Sequence, residues 1–137
     1  MGENAKVRMV RKQLVKTHFD LEVYCRAYHL AQHIFKLSKL FPKEEMYSLT
    51  SQIRRSSRSV CSNLAEAWRK RRYQAAFVAK LADSDAEAGE TQTWIQFAVR
   101  CEYLTRDVGE DIFREYDAIL GMLIAMITKP EAWVLPR

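Results

Sequence analysis

Apolar side chains recur along this chain at three- and four-residue spacing, with no run of β-branched alternation and no proline between Pro42 and Pro130. That pattern predicts helices and nothing else. A first helix, over about residues 20–40, sets Tyr24, Ala27, Tyr28, Ala31, Ile34, Phe35 and Ser38 on one face, with Asp20 placed to cap its start and Phe41-Pro42 to stop it. A second, about 44–70, carries Leu49, Ile53, Val60, Leu64, Ala67 and Trp68 inward. The third, about 74–101, repeats Phe77, Leu81, Ser84, Ala88, Thr91, Ile95 and Ala98 in a regular three-four rhythm. A fourth, about 107–128, points Ile112, Tyr116, Ile119, Leu123 and Met126 inward and has Thr105 as its cap.

The phase of the stripe separates the second helix from the third. At about 100° per residue, extending the second would turn Arg71 inward, whereas the Phe77-Leu81-Ala88 stripe lies roughly 100° away, so a turn is expected between Arg69 and Tyr73. Short connections make sequential helices antiparallel, and the predicted fold is an all-α, up-down four-helix bundle over residues 20–128. A basic arm (1–19, with Lys6, Arg8, Arg11, Lys12 and Lys16) precedes it, and a short tail (129–137) follows.

Two stretches carry more apolar surface than one small core needs. Val23, Leu30 and Leu37 extend the first helix's stripe over about half its circumference. Residues 118–127 are apolar all round, and Trp133-Val134-Leu135 adds a plug in the tail. Val23, Leu30, Leu37 and Trp133 are therefore the expected contacts of a homo-oligomer.

Composition narrows the class. At 137 residues, with 48% hydrophobic and 28% charged residues but four Gly and three Pro, the chain reads as one globular domain. Its longest apolar run is half of the ~20 residues that cross a bilayer, and no signal-peptide pattern opens it, so a cytoplasmic protein that engages no membrane is expected. Cys25, Cys61 and Cys101 are far apart and odd in number, which predicts reduced, mostly buried thiols rather than disulfides or zinc. His29 and His33 share a helical face, but a polar one beside Glu22, Arg26 and Lys36. No Glu-x-x-His occurs for a carboxylate-bridged metal centre, and no phosphate loop or catalytic triad order is present. Neither an enzyme nor a cofactor is expected.

Charge supplies the candidate chemistry. Residues 1–80 hold 17 Lys+Arg against 6 Asp+Glu, and residues 81–137 hold 5 against 11. On the second helix Arg54, Arg55, Arg58, Arg69 and Arg72 fall within an arc of about 100° opposite Ile53, Val60 and Leu64, with Lys70 and Arg71 adjoining. Such a stripe can follow a phosphate backbone of RNA or DNA. An antiparallel hairpin, however, sets residue i beside roughly 143 minus i, which brings Asp83, Glu87 and Glu90 level with it. The arginines are then either a polyanion site or internal glue, and both readings stand at this point.

The residues also carry a resemblance. Leu21-Glu22-Val23-Tyr24, Phe41-Pro42-Lys43-Glu44-Glu45, Leu49-Thr50-Ser51-Gln52-Ile53-Arg54-Arg55, residues 59–68 (Ser-Val-Cys-Ser-Asn-Leu-Ala-Glu-Ala-Trp) and Glu102-Tyr103-Leu104 resemble the bacterial four-helix-bundle proteins encoded in intervening sequences of large-subunit ribosomal RNA genes. Ala67 stands where that family usually has Gly. The resemblance implies a ring-like homopentamer without enzymatic activity. It extends to accessory proteins of diversity-generating retroelements, basic bundles that bind a reverse transcriptase and nucleic acid. Arg54 and Arg55 match the family's Arg pair, open to use in RNA binding or a subunit interface, and Asn63 and Glu66 match its Asn and Glu, expected to support helix packing. The functional expectation is an oligomeric accessory factor that binds RNA through Arg54, Arg55, Arg58, Arg69, Lys70, Arg71 and Arg72; the alternative is a protein-interaction scaffold, such as a reverse-transcriptase subunit, whose arginines form salt bridges.

Overall fold

A computed structural model describes residues 15–136. The basic arm falls largely outside them, and so do its Lys6, Arg8, Arg11 and Lys12. Four helices form the described chain: α1 (Glu22–Ser38), α2 (Leu49–Arg69), α3 (Gln74–Arg100) and α4 (Arg106–Thr128). Each packs against its neighbours in sequence and α1 closes against α4, which is the up-down bundle. Among the described residues no helix is long and apolar enough to cross a membrane.

The core follows the stripes closely in three helices. Every inward residue expected of α2, α3 and α4 is buried, and Phe77, Leu81, Val60, Ile53, Tyr116 and Leu123 lose all contact with solvent. The turn between α2 and α3 occupies residues 70–73, where the change of phase requires it.

In α1 the face is rotated from the expectation. Val23, Ala27, Leu30, Ala31, Ile34 and Ser38 are buried, whereas Tyr28 is exposed and Tyr24 and Phe35 are half-buried. Val23 and Leu30 therefore belong to the protomer's own core and offer no surface to a partner copy; Leu37 packs half-buried against the same core. Tyr and Phe tolerate this flank because an aromatic body can pack while its edge or hydroxyl stays wet. Trp133 is likewise turned inward, edge-on to Trp68 at 6.4 Å between ring centroids, and the Leu135 amide donates to the Arg71 carbonyl at 3.1 Å. The tail closes over its own chain. Only Cys61 of the three thiols is buried, and burial pushes it up to about 12; Cys25 and Cys101 are exposed, contrary to the expectation.

The helix ends explain two other departures. Asp20 does not cap α1: its carboxylate accepts from the Lys16 and Thr17 amides and closes a 3-10 turn at His18–Asp20. The region from Glu44 is a separate 3-10 turn, Lys43–Glu45, and α2 begins only at Leu49. Glu45 serves that start. It accepts from the Ser48 hydroxyl at 2.5 Å and the Leu49 amide at 3.4 Å, while its other oxygen accepts from the Tyr103 hydroxyl at 2.9 Å. A single carboxylate thus caps α2 and ties it to the α3–α4 corner. That corner is a Schellman turn, in which the Tyr103 amide reaches the Ala98 carbonyl and the Glu102 amide reaches that of Val99. Glu102 occupies the left-handed position, φ 64°, where glycine is usual. Thr105 caps α4 as expected, accepting from the Val108 amide at 3.3 Å.

Two predictions follow from these joints. Gly109 lies against α3 so closely that a Cβ would meet Val99 Cγ2 at 2.3 Å. Gly109→Ala should cost about 1–3 kcal/mol by overpacking, read as a lower Tm, and Val99→Ala in the same chain should restore part of the loss. The hydrogen bonds from Ser48, Tyr103 and the Leu49 amide hold Glu45 below its ordinary value of 4.5. A lowered carboxylate stabilises the fold above its unfolded value, and that contribution disappears as pH falls through the folded one. Glu45→Gln should therefore melt below the wild type at pH 7, with the gap closing as pH drops below 4.5.

Candidate nucleic-acid interface

The fate of the arginines is decided by how α2 registers on α3. Small residues let the two helices approach, and the Ser84 hydroxyl donates to the Val60 carbonyl at 2.8 Å while Thr91 donates to the Ser56 hydroxyl at 2.8 Å. These buried bonds fix a register within about one turn of the one expected from the short hairpin. Arg55 then meets both Glu87 and Glu90. Glu66 pairs with Lys80 at 2.8 Å, which holds its carboxyl below the ordinary range, and Asp83 also turns to Lys80, at 3.6 Å, rather than to any arginine. Glu87 stands above the ordinary carboxylate range because burial disfavours its charge and Glu90 adds to that effect, with Arg55 acting in the opposite sense. Arg55 is 48% exposed, so its pairs are worth no more than about 1 kcal/mol. They nonetheless neutralise it within the protomer. The Asn63 amide bonds within α2, to the Ser59 carbonyl at 2.9 Å.

Arg54 and Arg58 lie on the opposite flank of α2, beside α1. The Arg54 Nε donates to the Ser38 hydroxyl at 2.7 Å, and its guanidinium sits over the Phe35 ring, 4.8 Å from the centroid. Arg58 approaches the same ring at 5.3 Å and Lys39 at 4.8 Å. No two of these cations are more than about 10 Å apart, roughly one Debye length at 0.1 M salt. None of the three forms an ion pair among the described residues. The aromatic face offsets some of their mutual repulsion. Lys39 escaped the sequence reading, although it stands four residues after Phe35 and shares its flank with Tyr28.

The remaining cations gather where α2 ends. Arg69, Lys70 and Arg72 are exposed. Arg71 is turned back on the fold: its Nε donates to the Trp68 carbonyl at 2.9 Å, its guanidinium stacks 3.5 Å from the Trp68 ring centroid, and this burial lowers its pKa. It supports the Trp68–Trp133 contact instead of presenting charge. The stripe therefore divides into a neutralised arginine, a structural one, and two further groups: half-buried Arg54 with exposed Arg58 and Lys39, and the 69–72 corner without Arg71. His29 and His33 are exposed, and no cluster of three metal-ligating side chains occurs among the described residues.

A family model described as 23S rRNA-intervening sequence protein matches residues 19–125. Among solved structures, the chain is similar to a protein of unknown function from the S23 ribosomal protein family of Bacteroides thetaiotaomicron. They share 32% sequence identity, the match covers 77% of this chain and 95% of that one, and the TM-score is 0.71. No match is found among curated proteins.

Arg71→Ala should lower stability by about 1 kcal/mol through loss of the stacking and the Trp68 hydrogen bond, about 4 °C in Tm for a chain of this size. A thermal melt followed by tryptophan fluorescence checks it.

Proposed function

Because the chain belongs to the 23S rRNA-intervening sequence protein family, we propose that it is a non-enzymatic accessory factor of the cytoplasm that binds RNA through the α1–α2 flank of its bundle. The observation that carries this reading is the cluster of Lys39, Arg54 and Arg58, three cations around one ring with no carboxylate paired to them. Phosphate is the ligand such a cluster suits: guanidinium groups meet it in a bidentate fashion, and its binding releases counterions. Arg69, Lys70 and Arg72 extend the positive surface at the end of α2.

Self-association belongs to the same reading. On α4, Ala118, Gly121, Ile124 and Ala125 face solvent, with Ile124 55% exposed, and this small-residue apolar strip suits contact with another copy. Repetition of a modest basic patch around a homo-oligomer, a pentamer if the family resemblance holds for assembly, multiplies its affinity for one long RNA.

The test is a titration of a labelled structured RNA at several salt concentrations. Each phosphate neutralised contributes about 0.7–0.9 to the slope of log affinity against log salt. Arg54→Gln/Arg58→Gln should lower that slope by about 1.5 with the oligomer intact by gel filtration. Arg55→Gln should leave it unchanged, since that charge is already neutralised within the protomer. An absence of binding by the wild type, or equal slopes for all three proteins, overturns the proposal.

A further inference from the structure

We infer that the groove between α1 and α2 is a stacking site for an unpaired nucleotide, so that the preferred ligand is single-stranded or looped RNA rather than continuous duplex. This inference rests on the RNA-binding reading above and specifies its ligand. The groove, about 360 Å³, lies at the lower end of the range for ligand sites. Its floor is made small by Ala31, Cys61 and Ala65, and Cys61 is an uncharged thiol. Tyr24 and Tyr28 form one wall, their rings 6.2 Å apart and 21° from parallel. Arg58 and Ser62 stand on the other, and no carboxylate lines the groove.

The rotation of α1 creates this arrangement. Tyr24, Tyr28, Phe35 and Lys39 fall within about 60° of one another on the helix, along ~22 Å of its axis. The aromatic wall therefore runs directly into the cation cluster around Phe35. Tyr28 is 46% exposed, and its hydroxyl accepts a long bond from Gln32 at 3.5 Å. An exposed aromatic face beside unneutralised arginines is the combination that holds single strands: the base stacks on the ring while the neighbouring phosphates meet the guanidinium groups. A base inside a duplex has both faces covered by its neighbours and cannot use the wall. Phosphate neutralisation alone would give the single strand no advantage over the more densely charged duplex, so the tyrosines are what would confer the preference.

The experiment compares a fluorescein-labelled 12-nucleotide RNA, with one adenine replaced by 2-aminopurine, against the same strand annealed to its complement. The wild type should bind the single strand at least tenfold more tightly and quench the 2-aminopurine. Tyr28→Ala should lower single-strand affinity about tenfold and abolish the quenching, while Tyr28→Phe, which keeps the ring, should retain both. Because Tyr28 is an exposed side chain, both variants should keep the wild-type Tm. Equal affinity for the two RNAs, with no effect of Tyr28→Ala, overturns the stacking site and leaves the charged flank standing. Binding of neither RNA overturns both.

Discussion

The contact between α2 and α3 is the constraint on which the rest of this bundle depends. Hydrogen bonds cross it between Ser56 and Val60 on one side and Thr91 and Ser84 on the other, all four buried. Small side chains bring the helices close, and the hydroxyls then have to find partners because a buried polar group without one is costly. Ser84 finds the Val60 carbonyl and Thr91 finds Ser56. An apolar seam could slide by a turn at modest cost. A seam that contains specific hydrogen bonds resists this, since a slip would break the bond to Val60 that satisfies the buried Ser84 hydroxyl.

Fixing that register sorts the charges of the whole second helix. Arg55 falls opposite Glu87 and Glu90 and is neutralised, and Glu66 falls opposite Lys80. The acidic second half of the sequence thus answers part of the basic first half inside one protomer. Arg54 and Arg58, one position before and three positions after Arg55, project toward α1 instead: both lie over Phe35, and Arg54 also bonds Ser38. A basic stripe that looks uniform along the sequence is therefore two surfaces with different chemistry. On the α3 side Arg55 is paired with two carboxylates, and on the α1 side Arg54 and Arg58 lie over an aromatic ring.

The corner between α3 and α4 does similar work at the other seam. Glu45 caps α2 and receives the Tyr103 hydroxyl, so the start of the second helix and the end of the third are held by the same carboxylate. Gly109 lets α4 pass close to Val99 immediately after that corner. The tail is held at the opposite joint, where Arg71 stacks on Trp68 and Trp133 packs edge-on to it.

The sequence by itself determined the number of helices, the turn at 70–73, the Thr105 cap and the inward faces of α2, α3 and α4, because a narrow apolar stripe at helical period has only one way to face a core. It also carried the hairpin register to within a turn, since a short connection between long helices leaves little freedom. The face of α1 was not determined. Its apolar residues span half the circumference, so Val23 and Leu30 or Tyr24 and Tyr28 satisfy the period equally well, and only packing against α2 and α4 selects the aliphatic side for the core. The destinations of Arg54, Arg55, Arg58 and Arg71 were likewise decided only by the tertiary structure. Whether a guanidinium meets a carboxylate, an aromatic ring or water depends on which helix its flank faces, and that is a property of the assembled bundle.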